Sequence, residues 1–318
     1  MLRYIRKRLF KGFITFFISV SLTFLILRLM PGDPTTMLID PRMTEEARLR
    51  LLQDFGLDKP LTVQYFLYLK HLVHGDLGMS FIYKQPVSKI IMSRLPWTLI
   101  LMIASQIITM FIGIPLGIYS GYKKGSIFDQ IVNAITILGV SIFVPWLSIS
   151  LLYLFGYKIP IFPIGGAFTP GLGGKELYVD IIKHMVLPVL TLTLINLANY
   201  VLYSRASIVD IMSEDYIRTA RSKGMKERRT IWKHAARNAM IPTVTVAGML
   251  FGSMVGGAVL TETVYAYPGV GRMIYDAVGQ QDFPVLQGAF IVLAFSVIMM
   301  NIIADIVCAY LDPRIKLE

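Results

Sequence analysis

Apolar positions along this chain come in long unbroken runs. Six of them lie near 10–30, 97–120, 131–156, 185–204, 240–264 and 285–311, each close to the ~20 residues that cross a ~30 Å hydrocarbon core. No stretch alternates with a period of two, so a membrane barrel is excluded and an all-α polytopic membrane protein with about six transmembrane helices is expected. The segment between the first two runs has a helical grammar of its own. Thr44-Glu45-Glu46 followed by Ala47, Leu51, Leu52 and Phe55, with a stop at Gly56, predicts one short helix. Pro60 opens a second, with Val63, Tyr65, Phe66, Leu67 and Tyr68, closing at His74-Gly75. Lys89-Ile90-Ile91 after Pro86 predicts a third running toward Pro96. The expected organisation is therefore 1–30 as cytoplasmic N-terminus and first span, 31–96 as an extracytoplasmic helical segment, and 97–318 as a five-helix core containing the loop 205–239.

Composition supports lipid as the solvent. Of 318 residues, 55% are apolar and 16% charged, against roughly half and a quarter in soluble domains, and the mean hydropathy is +0.61. A chain this apolar is not disordered, and one soluble core would not hide it. Cys308 is the single cysteine, so no internal disulfide forms, and with four histidines a Cys/His metal centre is not expected. Arg3, Arg6, Lys7 and Arg8 before the first run resemble a signal-peptide start, but Leu27-Arg28-Leu29-Met30-Pro31 offers no small-x-small cleavage site. The first helix is expected to be retained.

Charge sets the orientation. With the N-terminus in the cytoplasm, segments 1–11, 121–130, 205–239 and 312–318 hold 18 Lys and Arg against 7 acids, a surplus equal to the whole net charge of +11. The outer loops 157–184 and 265–284 hold only 4 basic residues, as the positive-inside rule requires. The segment 31–96 has 8, but it is too long to be governed by that rule. The topology is N-in, C-in, and a basic pI needs no nucleic acid to explain it.

The loop 205–239 is the most informative. Ile217, Ala220 and Gly224 recur at helical spacing, and Met225-Lys226 restarts a helix with Ile231, Ala235 and Ala239 on one face. Arg218, Arg221, Lys223, Arg228 and Arg229 on its surface suit either anionic lipid headgroups or a soluble partner's groove. In the spans, Gly113-x3-Gly117 and the series Gly248, Gly252, Gly256 permit close helix approach. Pro115, Pro145 and Pro188 interrupt helices where other groups satisfy the freed carbonyls. Asp305 sits near the end of the last run, where interfacial pairing is favoured over an ion site. His71 and His74, three apart, are close enough to face one metal ion, although no acid or thiol stands at matching spacing.

Tyr216-Ile217-Arg218-Thr219-Ala220-Arg221-Ser222-Lys223-Gly224, followed by His234, Asn238 and Ile241-Pro242, resembles the EAA loop of binding-protein-dependent ABC importer permeases, in the form of the dipeptide/oligopeptide/nickel branch. The same branch is resembled by Pro31-Gly32-Asp33-Pro34, Phe55-Gly56-Leu57-Asp58-Lys59-Pro60-Leu61, Gln64-Tyr65, Gly75-Asp76-Leu77-Gly78, Pro86-Val87 and Leu95-Pro96. It is resembled again by Glu262-Thr263-Val264-Tyr265, Tyr267-Pro268-Gly269-Val270-Gly271 and Asp282-Phe283-Pro284. The general Glu-Ala-Ala reads here as Arg218-Thr219-Ala220, which leaves contacts credited to that glutamate without a counterpart.

The resemblance implies a type I ABC importer transmembrane fold in the cell (inner) membrane. It implies one of two homologous permease subunits, two cytoplasmic ATPase subunits that carry ATP and Mg, and an extracytoplasmic solute-binding protein. The substrate it implies is a di- or oligopeptide, with nickel as the alternative within the branch. Asp215, Tyr216, Arg218, Thr219, Ala220, Arg221, Lys223, Gly224 and Met225 would couple to an ATPase, while Gly248, Gly252, Gly256 and Glu262 would serve helix packing or the pathway. No cofactor, metal or catalytic group is implied on this chain, and it has no G-x4-G-K-[ST] phosphate loop. A secondary transporter would show inverted repeats and midplane charges, and an intramembrane enzyme would place a nucleophile or ligand set at one depth. Neither pattern is present in the six runs.

Overall fold

The computed structural model describes residues 2–29 and 59–311. The helix expected at 44–56 and the Pro31–Pro34 motif lie outside them. Among the described residues ten α-helices of eight residues or more follow in order: α1 Leu2–Leu29, α2 Leu61–Val73, α3 Val87–Tyr122, α4 Ile127–Val140 and α5 Val144–Leu152, then α6 Gly174–Met212, α7 Asp215–Ser222, α8 Ala236–Val264, α9 Val270–Gly279 and α10 Phe283–Leu311. Among the described residues there is no strand, only the bridge between Met79 and Pro86. By length and hydropathy α1, α3, α6, α8 and α10 can each cross a membrane, and α4 forms a bent pair with α5 and its π-helical continuation Tyr153–Lys158 that can make a sixth crossing.

Two sequence expectations are corrected. The run at 131–156 is not one continuous helix but bends by 102° between α4 and α5. Pro145 stands in the first turn of α5, where its missing N–H costs nothing, and Phe143 before it is extended. The helix expected to run from Lys89 to Pro96 is instead the first part of α3, which continues through Pro96 and Pro115. Val87 and Ile91 are fully buried there with Val270, Val285 and Leu286, and that packing overrides the proline penalty. At 36 residues, α3 is about 54 Å long and extends well beyond the hydrocarbon.

Close approach of α3 and α6 sets the centre of the bundle. A methyl group at Gly113 would stand 2.8 Å from Tyr200 Cβ, and at Gly121 2.7 Å from the Arg205 carbonyl; at Gly117 it would meet Ser204. The four-residue spacing brings the two backbones together along one face, the way helices gain van der Waals contact where lipid removes the hydrophobic drive. The second glycine series behaves unevenly. Gly248 packs on Ala304 and Asn301 of α10 and Gly252 on Val297, whereas a Cβ at Gly256 meets nothing within 4 Å. Gly256 therefore makes no packing contact among the described residues, which leaves it the pathway alternative of the expectation.

α1 packs along α10 through Gly12 against Ile298 and Ile302 and through Phe16 edge-on to Phe295. Arg8 pairs with Asp305 at 3.1 Å, which puts the start of α1 and the end of α10 at one membrane face, as N-in, C-in requires. Asp305 is thus paired near its helix end and not held as an intramembrane ion site. α2 opens after Pro60 and stops at His74 before Gly75, whose φ is +76°. Its Tyr65 and Tyr68 rings lie against Phe24 of α1, and Tyr65 shares a 2.6 Å hydrogen bond with Ser21.

Candidate functional site

The cytoplasmic hairpin is built from one amphipathic turn of sequence. α7 turns Ile217 and Ala220 inward, both buried, and leaves Asp215, Tyr216, Arg218, Thr219, Arg221 and Lys223 exposed. Beyond Lys223 the chain reverses at Gly224, whose φ is +72°. The Gly224 N–H donates to Arg221 O at 2.9 Å and the Met225 N–H to Ala220 O at 3.3 Å, the paired bonds of a glycine-terminated helix. The return path passes through the short turn Glu227–Arg229 and the π-helical Thr230–Ala235 into α8. Ile231, Ala235 and Ala239 are buried on it, as the periodicity predicts, and Ala220 is a packing residue rather than a surface for a partner.

Ile217, Ile231 and Ala235 join one apolar cluster with Ile114 and Ile118 of α3, Tyr200 and Ile208 of α6, and Ala247 and Leu250 of α8. Ser207 adds a 3.1 Å bond to the Ala239 carbonyl. The hairpin is therefore an extension of the membrane bundle, so a force on α7 is passed to α3, α6 and α8 by packed side chains. At its other edge Asn238 donates to the Tyr216 hydroxyl at 2.9 Å.

Its charges are arranged unequally. Arg218 stands 3.6 Å from Asp215 with both side chains largely in water. Arg221 grips Glu227 with two bonds, Nη2 to Oε1 at 2.6 Å and Nε to Oε2 at 3.3 Å, and this contact raises the guanidinium's pKa further above its ordinary value. Lys223, Arg228 and Arg229 have no ion pair among the described residues. Lys226, Arg228, Arg229 and Trp232 line a shallow open depression beside the turn.

One ion pair near the hairpin carries no helical-spacing signal in the sequence. Asp129 of α4 receives Arg205 Nε at 2.6 Å and Nη2 at 2.8 Å, Ser120 Oγ at 2.7 Å and the Gly125 N–H at 2.9 Å. Buried and fully partnered, it ties α3, α4 and α6 together where α6 leaves the membrane. Its two residues are 76 apart in the chain, so only the fold reveals them.

At the outer end Glu262 has a different role from a pathway lining. It is fully buried; Oε1 accepts from Thr98 Oγ1 at 2.7 Å, and Oε2 accepts from the N–H groups of Gly271 and Arg272 at 2.7 and 3.2 Å. Thr98 in turn accepts from the Val270 N–H at 2.8 Å. One carboxylate and one hydroxyl thus satisfy the first turn of α9, where negative charge is favoured. A Cβ at Gly269 would fall on the Glu262 carboxylate, and one at Gly271 would stand 2.6 Å from Val259 Cα. Asp282 does the same for α10: it accepts from Val285 N at 3.4 Å, from Phe81 and Ile82 N at 3.3 Å, and from Ser80 Oγ.

His71 and His74 do not converge on one ion. His71 Nδ1 faces Asp76 at 3.1 Å, while His74 Nδ1 faces the Lys70 carbonyl at 2.8 Å. Among the described residues no three His, Cys, Asp or Glu side chains cluster to hold a metal.

The model of the family described as binding-protein-dependent transport system inner membrane component matches residues 113–317, and the model of its N-terminal part matches residues 1–102. The chain is 37% identical over 296 residues to the oligopeptide transport system permease protein AppB of Bacillus subtilis, covering 93% of each. It is 35% identical over 336 residues to the dipeptide transport system permease protein DppB of Escherichia coli K12, covering 99% of each. It is also 35% identical over 337 residues to the di/tripeptide transport system permease protein DppB of Pseudomonas aeruginosa, again covering 99% of each.

Proposed function

The chain belongs to the family of inner membrane components of binding-protein-dependent transport systems, and we propose that it is one of two homologous subunits enclosing a path for di- and oligopeptides. The substrate class follows the names of its relatives, which span peptide systems of several bacteria. Two cytoplasmic ATPase subunits supply the work, holding ATP and Mg, and an extracytoplasmic solute-binding protein delivers the peptide. The helix Asp215–Ser222 with its Gly224 turn is the element that meets an ATPase.

One observation carries this reading. The hairpin presents a charged outer face to the cytoplasm while on its inner face Ala220 is buried and Ile217, with Ile231 and Ala235 of the return path, joins the cluster shared by α3, α6 and α8. A groove closing on α7 would therefore tilt three spanning helices as a unit and shift the bundle between inward- and outward-open packings. Nickel has less support, because His71 and His74 turn to separate partners.

The test is reconstitution. Proteoliposomes holding this chain with its partner permease, both ATPases and the binding protein are expected to accumulate radiolabelled dialanine only when ATP is present. Omitting this chain abolishes accumulation, and 100-fold excess nickel ion does not compete. Nickel accumulation without peptide accumulation would reverse the substrate assignment.

A further inference from the structure

The sequence presents Arg221 as one of several cations on the hairpin, free for a partner's acidic groove. The structure gives it a partner within the chain. Its guanidinium faces the Glu227 carboxylate with two bonds in a fork geometry, 2.6 and 3.3 Å, and the two residues stand on opposite sides of the Gly224 reversal. The Gly224 backbone fixes the path of the turn but leaves it open on its outer side, since a Cβ there meets nothing within 4 Å. The N–H bonds to Arg221 and Ala220 end α7, and of the side-chain hydrogen bonds between α7 and the turn Glu227–Arg229 only those from Arg221 to Glu227 are present among the described residues.

We propose that Glu227 is a positioning residue for coupling: by gripping Arg221 across the Gly224 turn it fixes the angle between α7 and the returning helix. This rests on the reading of the hairpin as the ATPase-coupling element. A hinge at a glycine transmits push poorly, because the two arms fold about it before either moves the bundle. A bidentate arginine–carboxylate pair adds direction as well as attraction, so the arms move as one piece. The arrangement also divides the cations: Arg221 is spent inside the hairpin, and Lys223, Arg228 and Arg229 are left for the partner.

A charge swap tests this in the complete complex. Wild type, Arg221→Glu, Glu227→Arg, the double swap Arg221→Glu/Glu227→Arg, and Gly224→Val are reconstituted in proteoliposomes. Binding-protein-stimulated ATP hydrolysis is read together with the amount of ATPase retained on the chain. Each single reversal is expected to lower stimulation about fivefold, the factor that corresponds to the ~1 kcal/mol upper range of an exposed pair. The double swap is expected to return stimulation to within about twofold of wild type, because the pair is restored with its ends exchanged. If the swap is no better than Arg221→Glu alone, Arg221 meets the partner directly and the proposal is overturned. It is also overturned if both single reversals keep full stimulation while Gly224→Val loses it. If all variants including Gly224→Val keep full stimulation, the hairpin is not the coupling element and the functional reading falls with the clamp.

Discussion

The two ends of α8 use charge in opposite ways. At the outer end Glu262 is buried and every donor around it belongs to this chain: Thr98, Gly271 and Arg272. Glycines at 269 and 271 leave the space it occupies. At the cytoplasmic end the charged side chains of α7 stand in water, and of its cations Arg221 alone is held bidentately, at 43% exposure opposite Glu227 at 38%. A buried carboxylate with saturated bonds fixes the position of a helix and has nothing left to offer a ligand. A half-exposed pair with unpartnered cations beside it is weak alone and gains when a complementary surface excludes water. The outer motif is therefore architecture, and the inner one has the make-up of an interface, although both read as polar motifs of one resembled family.

The largest effect is expected from Glu262→Ala. It orphans two buried N–H groups and the Thr98 hydroxyl, and is expected to cost on the order of 3 kcal/mol, read as a lower thermal midpoint of the purified chain in detergent. Glu262→Gln, which keeps an acceptor, is expected to lose less. Arg218→Gln at the inner face is expected to leave the midpoint unchanged, because its pair with Asp215 is exposed and long at 3.6 Å. Equal effects of Glu262→Ala and Arg218→Gln would mean that burial does not separate the two ends.

Thiol labelling reads which face of the membrane each end of the bundle occupies. A cysteine at exposed Gln85 is expected to react with an impermeant thiol reagent from outside intact cells, and one at exposed Lys124 only after permeabilisation. Ser80 is unsuitable for such labelling, since it is buried and bonded to Asp282. Labelling of Lys124→Cys from outside would invert the topology and place the hairpin on the wrong side for any cytoplasmic ATPase.

Much of this was legible from hydropathy. Five of the six apolar runs coincide with spanning helices, because a membrane demands long continuous segments whose backbone bonds close on themselves. The bend between α4 and α5 was not legible, since Ile131 to Gly156 stays apolar through it and only the local geometry around Pro145 betrays the break. In the hairpin, the burial of Ile217, Ala220, Ile231 and Ala235 and the left-handed Gly224 followed from periodicity and glycine placement. Glu227 was missed, because a six-residue separation across a turn matches no helical pairing rule. Asp129 with Arg205 was missed for the stronger reason that tertiary packing alone joins them. Glu262 was placed among packing or pathway groups without its donors, since nothing in Glu262-Thr263-Val264-Tyr265 points to Thr98.

If the Gly224 hairpin passes ATPase work into the bundle, as proposed, Gly224→Val must uncouple the complex. With φ at +72° and no atom within 4 Å of an added Cβ, the substitution acts through backbone strain of about 1–2 kcal/mol at the turn. In proteoliposomes of the complete complex, peptide uptake per ATP hydrolysed is expected to fall at least about fivefold, the lower bound of a 1–3 kcal/mol coupling energy, with the chain still inserted and folded. Normal assembly with unchanged uptake per ATP would contradict the claim.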